Sequence, residues 1–229
     1  MKIAVLGTGM VGQTLAGRLS GLGHDVTVGT RDPEATLART EPDAMGAPPF
    51  ATWHASHPDV TLATFADAAR GAELLVLAGN GAAAHDMLAA AGADHVDGPL
   101  DGVVVLDISN PLDFSAGFPP TLLVKDTDSL GEQLQRAFPR VRVVKSLNTL
   151  TASLMVDPAS LGSSTTVFVS GDDPEAKAQV TSLLESFGHD DVLDLGGIET
   201  ARGAEMLLPL WLRLMHALGT PQFNVKVVR

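Results

Sequence analysis

The feature that most constrains this chain is a glycine pattern in a particular place: Gly7-Thr8-Gly9-Met10-Val11-Gly12 follows an apolar strand and opens a helix. Lys2 to Leu6 (KIAVL) is short, apolar and ended by glycine, as expected of a strand buried in a parallel sheet. From Met10 to Leu22 apolar residues recur at helical spacing, and Gly21 and Gly23 act as stop signals. Val26 to Val28 resumes as a second strand. Strand, glycine turn, helix and strand fit within about 30 residues, the length of one βαβ unit.

Each glycine of the loop has its own physical task. Gly7 permits the tight turn, Gly9 removes a Cβ that would hold a pyrophosphate off the backbone, and Gly12 lets the helix pack on the strand. Free amides at the helix N-terminus then face an anion. The pattern alone is weak. Its strand–turn–helix setting makes it a dinucleotide-binding signature. An NAD-specific site carries Asp or Glu about 20 residues further on, bonded to the ribose 2′-hydroxyl. This chain has Gly29-Thr30-Arg31 there. Thr30 can donate a hydrogen bond and Arg31 can pair with a 2′-phosphate, so the expected cofactor is NADPH rather than NADH. Asp32 reads as an N-cap before Pro33.

Further apolar runs continue the alternation. Glu73 to Ala78, Val103 to Asp107, Val141 to Lys145 and Thr165 to Ser170 read as strands, and Val192 to Leu195 as a short last one. Helices are expected over Ala82 to Ala91, from the capping box Ser129-Leu130-Gly131-Glu132 to Phe138, and after Asp173-Pro174-Glu175. Thr40 to Asp59 shows no period and reads as an irregular excursion. Ile198 to Leu218 reads as a helix apolar on nearly every side, buried in the protein or in a subunit interface, with a kink at Pro209. The expected architecture is α/β: a Rossmann-type doubly wound, mainly parallel sheet with a small C-terminal helical extension. One domain is expected, with a dinucleotide-binding core over about 1–150 and a C-terminal part over about 151–229.

Composition narrows function. The formal net charge is −12, which argues against nucleic acid or anionic lipid as a partner. Cysteine is absent, so disulfides, thiolate zinc sites and a Cys nucleophile are excluded. No secretory h-region follows Met1-Lys2, and the apolar stretch from Met206 to Leu218 is interrupted by Pro209, Arg213 and His216. A cytoplasmic protein is expected.

Ligands of doubly wound sheets bind beyond the carboxyl ends of the strands. That rule selects three loops: Ala78-Gly79-Asn80-Gly81, Ser109-Asn110-Pro111-Leu112 and Ser146-Leu147-Asn148-Thr149. Asn80, Asn110, Asn148 and Thr149 can hold a carboxamide and orient a nicotinamide, although loop capping is an equally ordinary use of each Asn. No acid–base pair stands out, and no catalytic residue is assigned. His85 and Asp86 adjoin on a helix, so their side chains diverge by about 100°. His54 and His57 lack a third ligand, and no metal is expected. His216 reads as a hydrogen-bonded core or interface residue. Hydride transfer between two cofactors needs mainly orientation and exclusion of water, which suits a site without a general base.

With these residues in view, the chain resembles the NADPH-dependent deazaflavin reductases, the F-420:NADP oxidoreductase family. It is also similar to the nicotinamide domain of six-transmembrane metalloreductases. The resemblance rests on GTGMVG, VGTR after the second strand, SNP at Ser109 to Pro111, VVKSLNT from Val143, SGDDPEAK from Ser170 and the ending LLPLWLRLMHALGTPQFNVKVVR. It implies hydride exchange between NADPH and the deazaflavin coenzyme F-420, in a homodimer. By motif, Thr8, Gly9, Met10, Val11, Thr30 and Arg31 would hold NADPH. Ala78-Gly79-Asn80, Asn110 and Asn148-Thr149 would flank the nicotinamide, and residues near Leu207, Met215 and Gly219 would face the deazaflavin. Against the family, Thr40 to Asp59 reads as an insertion, and Asn148 follows the metalloreductase pattern. Two other readings stay open: an NADPH-dependent reductase of a flavin, quinone or ferric chelate, and a non-catalytic NADPH-binding regulator.

Overall fold

The computed structural model describes residues 1–42 and 48–229. The first βαβ unit forms where the glycines predict it: β1 (Lys2–Leu6), α1 (Met10–Gly21) and β2 (Asp25–Thr30). Helix α2 (Pro33–Ala38) follows, capped by the Asp32 carboxylate, which accepts from the Ala35 amide at 2.9 Å. The excursion over 40–59 is not wholly irregular. Its residues 43–47 lie outside the described ones, and Phe50–Ala55 forms a helix, α3. The rings of Phe50, Trp53, His54 and His57 stack along it, with Trp53 and His57 centroids 4.2 Å apart. Aromatic stacking outweighs the weak local helix pattern here. The two histidines are tied to carbonyls: His54 Nε2 to Val60 and His57 Nδ1 to Trp53.

The middle of the chain adds β3 (Thr61–Thr64), α4 (Phe65–Ala69), β4 (Leu74–Leu77), α5 (Ala84–Ala90) and β5 (Val104–Asp107). A two-stranded hairpin, β6 (Leu112–Asp113) and β7 (Thr121–Leu122), precedes α6 (Leu130–Ala137). Then come β8 (Arg142–Ser146), α7 (Ala152–Val156), β9 (Val167–Ser170), α8 (Pro174–Phe187) and β10 (Val192–Asp194). The chain closes with α9 (Ala201–Met206) and α10 (Leu208–Leu218).

The main sheet runs β10-β9-β8-β5-β4-β1-β2-β3. From β3 to β8 its neighbours are parallel, in the doubly wound order. β9 is antiparallel to β8, and β10 follows β9, so the last two strands run against the rest. Continuous apolar strands result because both faces are covered. Ile3, Val5, Val104 and Leu106 pack on one side with α1, α7 and α8; Ala4, Leu6, Leu75 and Leu77 pack on the other with α4, α5 and α6.

Pro209 does not kink one long helix. The helix breaks at Leu207 and Pro209 stands in the first turn of α10, where its missing N–H costs nothing. The two helices also differ in burial. α9 buries Ala201, Ala204 and Glu205, whereas α10 leaves Leu210 and Leu218 more than half exposed and His216 on the surface. Among the described residues, no helix is long and apolar enough to cross a membrane.

Two glycines let α1 seat closely on the sheet. A Cβ on Gly12 would lie 2.0 Å from the Gly7 carbonyl oxygen, and one on Gly7, at φ +130°, would lie 2.6 Å from that of Ala78. Gly12→Ala is therefore expected to lower stability by about 3 kcal/mol, the upper end of overpacking, as read from the urea midpoint.

Candidate functional site

Beyond the carboxyl ends of β1, β2 and β4 lies a cavity of about 540 Å³. The sequence-predicted Gly7, Thr8, Gly9, Thr30, Arg31, Ala78, Gly79 and Asn80 line it together. Met10, Val11 and Gly12 do not. Met10 is exposed at the start of α1, Val11 packs on the core beneath it, and Gly12 is buried under Gly7.

One end of the cavity is cationic. Arg31 is joined there by Arg39, a residue the sequence gave no local reason to select, since it borders the aperiodic stretch. Arg39 Nη2 donates to the Thr36 hydroxyl at 3.2 Å, and the Thr36 and Thr30 hydroxyls lie 2.9 Å apart. Thr36 and Thr30 are buried, so this chain of hydroxyls is held in place. In one of its two proton orders Thr36 donates to Thr30, which frees the Thr30 proton for an anion in the cavity. Two guanidiniums and a hydroxyl on one cavity wall are groups able to pair with a phosphate dianion.

Asn110, Asn148, Thr149, Leu207, Met215 and Gly219 do not line this cavity. Asn80 lines it, but its Oδ1 accepts from the Ala82 amide at 3.0 Å and caps the turn over Gly81–Ala83. Asn110 and Asn148 pair with each other: Asn110 Nδ2 donates to the Asn148 carbonyl at 2.9 Å, and Asn148 Nδ2 to Asn110 Oδ1 at 3.1 Å. Asn148 Nδ2 also reaches the Ala204 carbonyl on α9 at 3.1 Å. Thr149 is buried beside this pair. Gly81 approaches the turn of Asn110 so closely that a Cβ would lie 2.1 Å from the Asn110 carbonyl oxygen. Leu207 stands at the break between α9 and α10, Met215 is half-buried on α10, and Gly219 ends α10 at φ +68°. His85 is exposed and rests on Phe138, at 4.9 Å between centroids.

A buried ion cluster lies next to the asparagine pair. Lys145, at the end of β8, is 1% exposed. Its Nζ donates to Asp107 Oδ2 at 2.9 Å, to the Ser109 carbonyl at 2.6 Å and to Glu205 Oε1 at 3.0 Å. Glu205 in turn accepts from the Leu130 and Gly131 amides at 2.8 and 3.0 Å, filling the N-terminus of α6. Arg202, one turn earlier, pairs with Glu132 of the same helix and holds that carboxyl below its ordinary value. Burial pushes the Lys145 ammonium down, but Asp107 and Glu205 together outweigh it and hold it above its ordinary value. Its stabilisation is therefore complete below pH 10.5 and is lost only as pH rises through the higher folded value. The signal in the sequence was a charge closing each of two strand runs, VVVLD and VRVVK; Glu205 carries no such local mark.

The model for the family described as "NADP oxidoreductase coenzyme F420-dependent" matches residues 2–111. A crystal structure of a candidate F420-dependent NADP-reductase from Arthrobacter sp. FB24 is 61% identical, with a TM-score of 0.95 and each chain covered in full. The F420-dependent NADP reductase of Methanothermobacter marburgensis is 29% identical over 223 residues, covering 93% of this chain and 92% of that one. Metalloreductase STEAP3 of Rattus norvegicus is 29% identical over 216 residues; the match covers 92% of this chain and spans 38% of the length of the metalloreductase.

Glu205 holds a buried cation and two helix amides at once. Glu205→Ala leaves the two amides without this acceptor and the buried cation with one of its two carboxylates, and a loss of about 3 kcal/mol in the free energy of urea unfolding is the expected outcome.

Proposed function

The chain belongs to the F420-dependent NADP oxidoreductase family, and from that membership we propose that it transfers a hydride between NADPH and coenzyme F420. The observation that carries the NADPH half is the cationic end of the cavity on the glycine loop. In this reading the pyrophosphate lies on Gly7 to Gly9, and the 2′-phosphate lies between Arg31 and Arg39 with the Thr30 hydroxyl. The residues present suit the ligand. The loop amides are bare of side chains where an anion must approach, and the basic pair ends the cavity where an NAD site would carry a carboxylate.

NADPH supplies the reducing equivalent; the chain itself binds, orients and excludes water. Asn80, Asn110, Asn148 and Thr149 stand at three strand ends, where they would fix the exposed face of the nicotinamide. Leu207, Met215 and Gly219 would border the second ring system. The likeness to a metalloreductase favours a ferric chelate as the second acceptor to compare. The soluble nicotinamide pool on which this reaction draws is cytoplasmic, and we assign the chain to that compartment.

The direct test mixes the protein with NADPH and oxidised F420 and follows loss of the deazaflavin absorbance, beside parallel samples with flavin, quinone and ferric chelate. Turnover with F420 well above the others is expected. Tight NADPH binding with no turnover on any acceptor would favour a regulator instead.

Cofactor choice has its own test. Arg31→Ala and Arg39→Ala should each weaken NADPH by about 1.5–3 kcal/mol, one charge-assisted hydrogen-bond set apiece. NADH affinity should barely change. An unchanged preference in the double variant would remove the 2′-phosphate from this place.

The exposed apolar side of α10 we assign to a homodimer interface, for Leu210 and Leu218 there, and Met206 at the end of α9 just before it, expose large apolar side chains in the single chain. Leu210→Glu should shift the light-scattering mass from two chains to one.

A further inference from the structure

The Lys145 cluster has no part in binding NADPH as read above, yet it is built with unusual completeness. An ammonium has three N–H donors. Here each has one acceptor, on three separate segments: Asp107 at the end of β5, the Ser109 carbonyl in the turn that follows, and Glu205 on α9. All three side chains are fully buried.

These contacts close on themselves. Ser109 adjoins Asn110, which pairs with Asn148; Asn148 reaches the Ala204 carbonyl; Ala204 adjoins Glu205, which returns to Lys145. Asp107 Oδ1 adds two bonds of its own, from the Ser109 amide at 2.9 Å and the Ser109 hydroxyl at 2.5 Å. The ring thus joins two strand ends to α9, which leads into α10 through Leu207. A shift in any one member breaks a hydrogen bond inside a buried, low-dielectric site, where an unpaired group is costly.

We propose that Lys145 is a positioning residue: through Ser109 and Glu205 it sets the spacing between the Asn110–Asn148 pair and α9–α10, and so the width of the slot in which the second substrate meets the nicotinamide. This rests on the assignment of that slot to the second substrate. The NADPH cavity lies at β1, β2 and β4 and shares none of the three acceptors. A neutral side chain of similar length fills the volume but holds none of them.

The test compares wild type, Lys145→Met and Glu205→Gln, the last of which keeps the ammonium and alters one acceptor. NADP affinity is measured by titration, and kcat and KM by NADPH oxidation with the best acceptor of the wild type. A third readout needs no acceptor. The chain has two tryptophans, and in a Trp53→Phe background the remaining one is Trp211 on α10, stacked on Phe223 at 5.3 Å. Its quenching by acrylamide reports how α10 is seated.

In Lys145→Met, kcat should fall by about 10²-fold, as for a misplacement of roughly 1 Å. NADP affinity and the KM for NADPH should stay within about twofold, and Trp211 quenching should rise by about twofold or more. Glu205→Gln should show the same pattern in smaller degree and decides the matter if Lys145→Met does not fold. Unchanged kcat and unchanged Trp211 quenching overturn the proposal. So does a parallel loss of NADP affinity, which would mark a merely structural role. Absence of wild-type turnover with F420 would overturn the reading of the acceptor alone; Trp211 quenching and NADP affinity would still judge Lys145.

Discussion

The contact between the Gly12 α-carbon and the Gly7 carbonyl determines how the rest of this chain is arranged. With no Cβ in the way, α1 lies directly on the end of β1 and points its first amides across the strand end. That places an anion-receptive surface at the carboxyl edge of the sheet. Every later strand end that meets the site is set by register from β1, through β2 on one side and β4 on the other. The glycines thus act as spacing elements first and, in the proposed reading, as phosphate ligands second. The cavity exists because the helix starts so close to the sheet.

From that edge outward, chemistry divides by strand. The β2 side is cationic, with Arg31 and Arg39 sharing a phosphate-sized region through Thr36 and Thr30. The β5 and β8 side carries buried, neutral amide pairing and, just beneath it, an ion cluster with no contact to solvent. In a chain of net charge −12, two exposed arginines at one cavity end form a local exception that a bulk charge count conceals. In the proposed reading, selectivity for a coenzyme and geometry toward its partner are carried by separate groups.

Elements that announce themselves locally were legible before the structure. β1, α1 and β2 are marked by apolar runs and glycine stops, α6 by Ser129 and Glu132, and α8 by Asp173 and Pro174; Ser129 Oγ indeed accepts from the Glu132 amide at 3.1 Å and Asp173 from that of Ala176 at 2.9 Å. What stayed hidden depends on distant partners. Strand direction is one case, because apolar runs in β9 and β8 look alike whether parallel or not, and only the register shows the reversal. The helix over Phe50–Ala55 is another, because ring stacking replaces the usual periodic apolar face. Pro209 was visible, but whether a proline kinks a helix or begins a new one is decided by what buries each half. At the site, single-residue chemistry pointed to Arg31 but not to Arg39. The three loop asparagines were selected together from their strand-end positions, while the pairing of two of them, 38 residues apart, was not foreseeable.

The near-contact of Gly81 with the Asn110 carbonyl has a mechanical meaning. It presses the loop after β4 against the turn after β5, backbone to backbone, with no side chain between them to act as a hinge. The rim of the sheet on this side is consequently one stiff body, tied further to β8 by the asparagine pair. In the proposed reading, the opening that admits a second planar molecule is expected of the outer pieces. These are the hairpin of β6 and β7, which carries the exposed Phe114 and Phe118 between its strands, and α10 beyond the break at Leu207. The rate at which products leave would then be a property of that outer layer, while the chemistry of the site is held in the rigid rim beneath it.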